Sequence, residues 1–211
     1  LYRTSRRLAG ASLGEVTAEI VRAWGLELRL LPVTDDPLQT RLRTTDGRDL
    51  SFQEYFVREQ HGVEIAEVRF VGADDASPAP GVLAAIDRAE VVCIAPSNPV
   101  VSIGPLLAVH DVDAALRAAR DRTVAVSPIV GGAALKGPAD RLLRELGHEA
   151  SVVGVARWYA PYAAALVIDE VDAELAPAVE AEGLRCVVAP SVMVDLEAAT
   201  RLAQACIGAI R

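Results

Sequence analysis

Hydrophobic positions along the chain predict a regular alternation of strands and helices from residue 65 onward. Short runs of Val, Ile, Leu and Ala are typical of strands, and the segments between them have the three- to four-residue apolar spacing of amphipathic helices. The predicted strands are 65–71, 90–95, 123–127, 164–168 and 185–189. The predicted helices lie near 81–88, 105–120, 138–146, 175–182 and 195–210.

The strand-like runs are apolar without interruption, as in the five residues from Val91 to Ala95. Such runs are typical of strands buried on both faces, which occur in parallel sheets covered by helices. We therefore expect an α/β fold with a Rossmann-like, mostly parallel sheet and helices on both faces. The last helix is expected to pack on this sheet through an apolar face formed by Leu196, Ala199, Ala203, Cys206, Ile207 and Ile210.

The chain before residue 34 predicts a helix followed by a strand. Ser12 and Glu15 have the spacing of a capping box, so a helix is expected to begin there, and Gly25 suits the position just after its end. Residues 26–33 then carry leucines on alternate positions, which predicts a strand.

A hairpin is predicted at 41–50, because Asp46-Gly47 accepts the positive φ of a tight turn, and it is expected outside the main sheet. We interpret residues 1–211 as one α/β domain in which 34–62 form a small hairpin and helical insertion or lid. The aromatic cluster at 52–56 is either a lid that packs on the core or a wall for a flat ring system.

The charge, the apolar runs and the cysteines of the chain speak against several classes of protein. The 21 basic and 29 acidic residues give a net charge of −8, which speaks against nucleic-acid binding. No apolar run approaches the roughly 18 residues of a membrane span, so a soluble, cytoplasmic protein is expected. Three scattered cysteines do not form a disulfide framework, and Cys93 and Cys186 are expected to pack in the core because they lie in apolar runs.

Two loops carry residues suited to binding an anion, and both are expected at the carboxyl ends of strands, where parallel sheets bind ligands. Residues 95–105 offer hydroxyl groups, one carboxamide and backbone N–H groups ahead of a helix. Residues 127–138 add two glycines, which permit close backbone approach, and a lysine. The candidate binding residues are Ser97, Asn98, Ser102, Gly104, Ser127, Gly131, Gly132 and Lys136.

Either loop alone is equally well interpreted as an ordinary turn. Two such loops after adjacent strands favour a phosphate-bearing ligand. Asp35-Asp36 is interpreted as a turn cap in preference to a divalent-cation site, and the three histidines have no partner at metal-ligand spacing.

At these loops the sequence resembles the 2-phospho-L-lactate transferase family of coenzyme F-420 biosynthesis. The resemblance rests on combined strings that extend almost end to end, and Pro96-Ser97-Asn98-Pro99 distinguishes the chain from a sister family of nucleotide-sugar-binding regulators. Near the end, Val192-Met193-Val194-Asp195 replaces a family Met-Thr-Asp. The matching segments are 34–37, 51–57, 95–105, 127–132, 136–140 and 167–169.

The resemblance implies a transferase in which the ribityl hydroxyl of the deazaflavin Fo attacks a guanosine-diphosphate-activated lactate or enolpyruvate phosphate, and GMP leaves with help from Mg2+. Catalytic residues are not assigned. Family members also have a Gly-rich loop and an Asn-Thr-Gly-Asp-Asp-like segment that are not found in this sequence, so the metal ligands are expected upstream of Leu1. The chain alone is then expected to show little activity. A non-catalytic nucleotide-binding module is the alternative, and a homodimer is left open.

Overall fold

The chain contains nine helices and nine strands in a computed structural model that describes residues 1–211. The helices α1–α9 are Tyr2–Leu8, Leu13–Ala23, Val82–Arg88, Gly104–Leu107, His110–Ala118, Ala139–Glu145, Val152–Tyr159, Ala176–Ala181 and Leu196–Gly208. The strands β1–β9 are Gln39–Thr44, Asp49–Ser51, Ile65–Val71, Val92–Ile94, Thr123–Val126, Ile129–Val130, Ala133–Ala134, Ala165–Ile168 and Arg185–Val188. Short π-helical turns cover Glu54–Arg58 and Pro99–Ile103, and 3-10 turns cover Arg120–Arg122 and Glu170–Leu175.

A parallel sheet with the strand order β4-β5-β8-β9 forms the centre of the fold. Every residue of β5 and β8 is buried, because helices cover both faces of these two strands. Val124 and Val167 pack against α9 through Leu202, whereas Ala125 and Leu166 belong to the larger cluster on the opposite face. The prediction of a parallel sheet between two helical layers is confirmed.

A second, antiparallel sheet has the order β2-β1-β3. The predicted hairpin is confirmed, with Gly47 at a φ of 89° in its turn. The strand at 65–71 is also confirmed, but its expected place in the main sheet is wrong, because β3 pairs antiparallel with β1. Its residues alternate in burial, as expected of a sheet with only one covered face.

The antiparallel sheet is attached to the main body through helix α6. Leu142 of α6 belongs to the same apolar cluster as Leu42, Leu50, Tyr55 and Ile65. The Ile65 backbone N–H also donates to the Glu145 carboxylate at 3.0 Å. Within the aromatic cluster Tyr55 is fully buried, whereas the neighbouring Phe56 ring is exposed and stacks on Phe52. Core packing therefore explains Tyr55, and the assignment of 34–62 as an insertion stays a prediction.

Helix α2 was predicted correctly, whereas helix α1 was not predicted and the strand expected after α2 is absent. Ser12 and Glu15 form the capping box of α2, and Gly25 follows the helix with a φ of 64°. Residues 26–33 form no strand, because no partner strand lies beside them, and Leu28 and Leu30 remain exposed.

Three further expectations are corrected. The single helix at 105–120 is broken into α4 and α5, because Val109 between them has an extended backbone. Cys93 is exposed, since β4 is the edge strand of the parallel sheet. The buried stripe of α9 is formed by Ala198, Leu202, Cys206 and Ala209 and shares only Cys206 with the predicted face, because this Ala-rich helix has small residues on most of its surface.

No single helix is long and apolar enough to cross a membrane. One pair, Pro99–Leu107 with His110–Ala118, meets the length and composition requirement only when both are counted together across a 97° bend.

Two helical glycines provide a matched test of the packing. A Cβ at Gly154 of α7 would lie 1.9 Å from the Glu149 carbonyl oxygen, whereas nothing lies within 4 Å of a Cβ at Gly208 of α9. We expect Gly154→Ala to lower the free energy of unfolding by at least about 1–3 kcal/mol, because backbone must move. Gly208→Ala should stabilise by at most about 1 kcal/mol. Urea unfolding measures both, and similar effects would contradict the close approach at Gly154.

Candidate functional site

A cavity of about 300 Å3 lies where the loops leave the carboxyl ends of β4, β5 and β9. Both loops singled out in the sequence reach it, together with the loop that precedes α9, which the sequence analysis noted only for its departure from the family pattern and not as a binding segment. The cavity is lined by Pro96, Asn98, Ser127, Pro128, Val130, Leu135, Lys136, Ala139, Ser191, Val192 and Met193.

Asn98 has two distinct sides in this cavity. Its Oδ1 accepts hydrogen bonds from the backbone N–H groups of Val100 at 2.9 Å and Val101 at 3.3 Å, which caps the turn Pro99–Ile103. Its Nδ2 is buried and has no hydrogen-bond partner in the protein. Buried donors are almost always paired, so this unpartnered amide is a candidate donor to a ligand. The capping and binding interpretations of Asn98 are thus compatible, because each uses a different atom.

Lys136 is the only lysine among the 21 basic residues of the chain. It is exposed, lines the cavity and forms no ion pair, whereas every ion pair in the structure involves an arginine. A compact ammonium group without a carboxylate partner attracts an anionic ligand strongly. Lys136 therefore supplies the free positive charge at this cavity.

The remaining candidates in the second loop fix the conformation of that loop. Gly131 and Gly132 form the two-residue turn between β6 and β7, with φ values of 59° and 78° that favour glycine at both positions. The Ser127 hydroxyl is buried and exchanges hydrogen bonds with the backbone of Ile129 at 3.0 and 3.1 Å. These contacts agree with the interpretation of this segment as a turn.

Three candidates of the first loop lie outside the cavity lining. Ser97 is half-buried and Ser102 is exposed, and neither side chain makes a hydrogen bond within the protein. Gly104 is buried, and a Cβ there would lie 2.8 Å from the Phe70 ring. The glycine is therefore required by packing against the antiparallel sheet.

Two buried carboxylates that sequence analysis did not assign hold the loops in place. Asp169, directly after β8, accepts from the Ser191 backbone N–H at 2.8 Å and hydroxyl at 2.9 Å, and from the Val171 N–H at 3.3 Å. Burial raises the pKa of Asp169, but these hydrogen bonds outweigh it, so its pKa lies below the ordinary value. Asp172 accepts from the Gly131 N–H at 2.9 Å. The position of an acidic residue just after a buried strand is the sequence feature that could have identified Asp169.

The structure contains no group of three or more His, Cys, Asp or Glu side chains that could hold a metal ion. Asp35 accepts from the Gly14 N–H of α2 at 2.6 Å, and Asp36 accepts from the Ser77 N–H at 2.8 Å. The prediction that these two carboxylates cap their own turn is wrong, because both accept from distant segments, whereas the Thr34 hydroxyl accepts from the Asp36 N–H within the turn. Neither aspartate lines the cavity.

The cavity combines an unpartnered amide donor and a free ammonium group with apolar side chains at its rim, where Met193 and Leu135 are exposed. This arrangement can bind an anionic group next to an apolar surface. Fold and site together define an α/β protein with a candidate anion-binding cavity at the carboxyl edge of a parallel sheet.

Residues 2–206 match the family model of 2-phospho-L-lactate transferase CofD, so the chain belongs to this family. It is 43% identical over 208 residues to a phosphoenolpyruvate transferase of Kitasatospora aureofaciens, covering 97% of this chain and 65% of that protein. It is 34% identical over 208 residues to a 2-phospho-L-lactate transferase of Methanosarcina acetivorans, covering 99% of this chain and 67% of that protein. The chain thus spans about two thirds of the length of these relatives.

The fold also resembles a crystal structure, that of protein BH3568 from Bacillus halodurans. The TM-score is 0.64 at 17% sequence identity, and the match covers 95% of this chain and 68% of that one. At this identity the likeness concerns the fold alone, and it agrees with the predicted Rossmann-like architecture.

The role of Asp169 can be tested by stability as a function of pH. We expect Asp169→Asn to lower the free energy of unfolding by about 1–3 kcal/mol at pH 7, because the Ser191 and Val171 donors lose their charged acceptor. The folded pKa is lower than the ordinary value of 3.8, so this contribution is present above about pH 4 and is lost as the pH falls through the folded pKa.

Denaturant titrations of both proteins between pH 7 and pH 3 should therefore show a difference that narrows in acid. Asp75→Asn is the control, because Asp75 is exposed and makes no hydrogen bond or ion pair. A difference that stays constant down to pH 3 would argue against the carboxylate as its source.

Proposed function

We propose that this chain forms the phosphate-binding part of a transferase of coenzyme F-420 biosynthesis. The reaction moves a phospholactyl or enolpyruvyl-phosphate group from a guanosine-diphosphate-activated donor to the ribityl hydroxyl of the deazaflavin Fo, and GMP is released. Membership of the family supports this proposal. The observation that carries it is the pair of unpartnered donors, Asn98 Nδ2 and the Lys136 ammonium, at one cavity.

Phosphoryl-type transfer depends mainly on positioning and on stabilising negative charge, and these two donors are suited to both tasks. In the proposed complex Asn98 donates to a phosphate oxygen in a fixed direction, since its own turn holds it. Lys136 offsets the charge that develops on the phosphate. The exposed Met193 and Leu135 provide an apolar surface on which a flat ring can rest.

The size of the cavity limits what it holds. At about 300 Å3 it is at the lower end of the roughly 300–1,000 Å3 range of small-molecule sites. It therefore suits the phosphate-bearing end of one substrate rather than two complete substrates.

Mg2+ is implied by the family resemblance, but the residues described here do not form a site for it. The cavity lining contains no carboxylate, and the nearby Asp169 and Asp172 already accept hydrogen bonds from Ser191, Val171 and Gly131.

The enolpyruvyl donor is favoured over the lactyl donor within this proposal. Seven relatives that are 34–43% identical are named phosphoenolpyruvate transferases, and the relative named 2-phospho-L-lactate transferase is 34% identical. A non-catalytic nucleotide-binding module is the second candidate, favoured by the lack of a carboxylate in the cavity lining. Release of GMP from each activated donor in the presence of Fo, measured with the full-length protein, distinguishes these outcomes, and binding without release would support the module.

The single lysine makes a chemical protection experiment specific. Within residues 1–211, Lys136 is the only side chain that reductive methylation modifies, because the chain has no other lysine. We expect saturating GDP to slow methylation of Lys136, since the phosphates cover its ammonium group, and to leave methylation of the chain's terminal amine unchanged. Peptide mass spectrometry measures both rates. Equal rates at Lys136 with and without GDP would contradict its place in the binding site.

Three substitutions separate the two sides of Asn98. Asn98→Ser keeps an oxygen that can cap the turn but removes the amide donor, so we expect GDP affinity to fall about 5- to 100-fold with little change in stability. Asn98→Asp keeps the cap and places a negative charge against the phosphate, so its affinity should fall further. Asn98→Ala removes both functions and should also lower the free energy of unfolding by about 0.5–2 kcal/mol.

Calorimetric titration of GDP and thermal melts of each variant supply the two readouts. Ser102→Ala is the matched control, because Ser102 lies in the same turn but outside the cavity. Unchanged GDP affinity in Asn98→Ser and Asn98→Asp would show that Asn98 only caps the turn and does not bind the ligand.

A further inference from the structure

Two cysteines, one in the parallel sheet and one in the helix that covers it, face each other. Cys93 is the middle residue of the edge strand β4, and Cys206 lies on the buried stripe of α9. Both line one cavity of about 420 Å3, and Cys93 pairs in register with Val124, which packs in the same apolar cluster as Cys206. This cavity is separate from the candidate site, with which it shares no residue.

The two thiols differ in exposure and acidity. Cys93 is exposed, whereas Cys206 is only 2% exposed. The neighbouring Cys206 thiol lowers the pKa of Cys93 to about 7, despite the opposing effect of burial. The Cys93 thiol and burial both raise the pKa of Cys206. Near neutral pH a substantial fraction of Cys93 is therefore a nucleophilic thiolate, whereas Cys206 is protonated.

We propose that Cys93 and Cys206 are a site of reversible oxidation, at which hydrogen peroxide converts the facing thiols into an intramolecular disulfide between β4 and α9. The Cys93 thiolate attacks one peroxide oxygen, which gives a sulfenic acid and hydroxide, and the hydroxide takes up the proton that Cys93 had released. The Cys206 sulfur then attacks the sulfenic sulfur, and its proton leaves with the hydroxyl group as water. Two thiols and one peroxide thus become one disulfide and two waters.

The position of the pair makes this step accessible. Both cysteines already line the same cavity, and their sulfur atoms must close to about 2.05 Å in the disulfide. β4 pairs along one side only, with β5, so its neighbours hold it less tightly than those of an inner strand. The product joins residues far apart in sequence and fastens α9 to the sheet edge, which should stabilise the fold by restricting the unfolded chain.

Intact-mass measurement after treatment with hydrogen peroxide tests the proposal. We expect the loss of two hydrogens, a Cys93–Cys206 cross-link in the peptide map, and a melting temperature raised by about 5–10 °C that dithiothreitol returns to its starting value. Cys186→Ser is the matched control and should behave like the wild type, because the half-buried Cys186 lies outside this cavity.

Cys93→Ser and Cys206→Ser should each abolish both the cross-link and the shift in melting temperature. If either variant fails to fold, the peptide map of the peroxide-treated wild type decides the test. Oxygen addition at Cys93 without a cross-link, or disulfide-linked dimers through Cys93, would overturn the proposal.

Discussion

The candidate site depends on buried carboxylates at the end of the central strand β8. The cavity is built by loops that leave three different strands, and nothing in the loops themselves fixes their mutual position. Asp169 holds the Ser191 loop through its backbone and its hydroxyl, and Asp172 holds the turn after β6 through Gly131. Burying a carboxylate is unfavourable unless donors surround it, so the loops must stay in place to keep Asp169 satisfied. The loops are therefore held to the end of the stable sheet, and the cavity between them keeps a fixed shape.

The polar groups at the cavity divide into two kinds. Ser127, Asp169 and Asp172 are satisfied within the protein, and they hold the loops around the cavity in place. The Asn98 amide and Lys136 have no partner in the protein, and they define what the cavity is able to bind. Natural proteins leave buried donors unpaired at few positions, and those positions tend to be functional. The distinction separates ligand groups from scaffolding better than residue type, because serines and glycines occur in both loops.

The sequence predicted the central strands well because β5 and β8 are buried on both faces, and such burial leaves an uninterrupted apolar run. It failed where burial is one-sided or absent. The alternating leucines of 26–33 have the pattern of a strand, but a strand also needs a pairing neighbour, which local sequence does not encode. The sheet to which β3 belongs is likewise set by its distant hydrogen-bonded partner β1. Within the site, residue types located Asn98 and Lys136, whereas the contacts of Asp169 span 22 residues and arise only from the fold.

The choice of asparagine at residue 98 follows from the two tasks that the position combines. The turn Pro99–Ile103 begins with two backbone N–H groups that need an acceptor, and Oδ1 supplies it for both Val100 and Val101. Aspartate or serine can also accept these bonds, but a carboxylate carries no donor, and a serine that donates has only one short hydroxyl group. A carboxamide fixed by its oxygen directs its NH2 group away from the capped turn. Capping therefore fixes the orientation of the NH2 donor before a ligand arrives. Because the side chain does not have to be ordered on binding, the entropy cost of binding is lower.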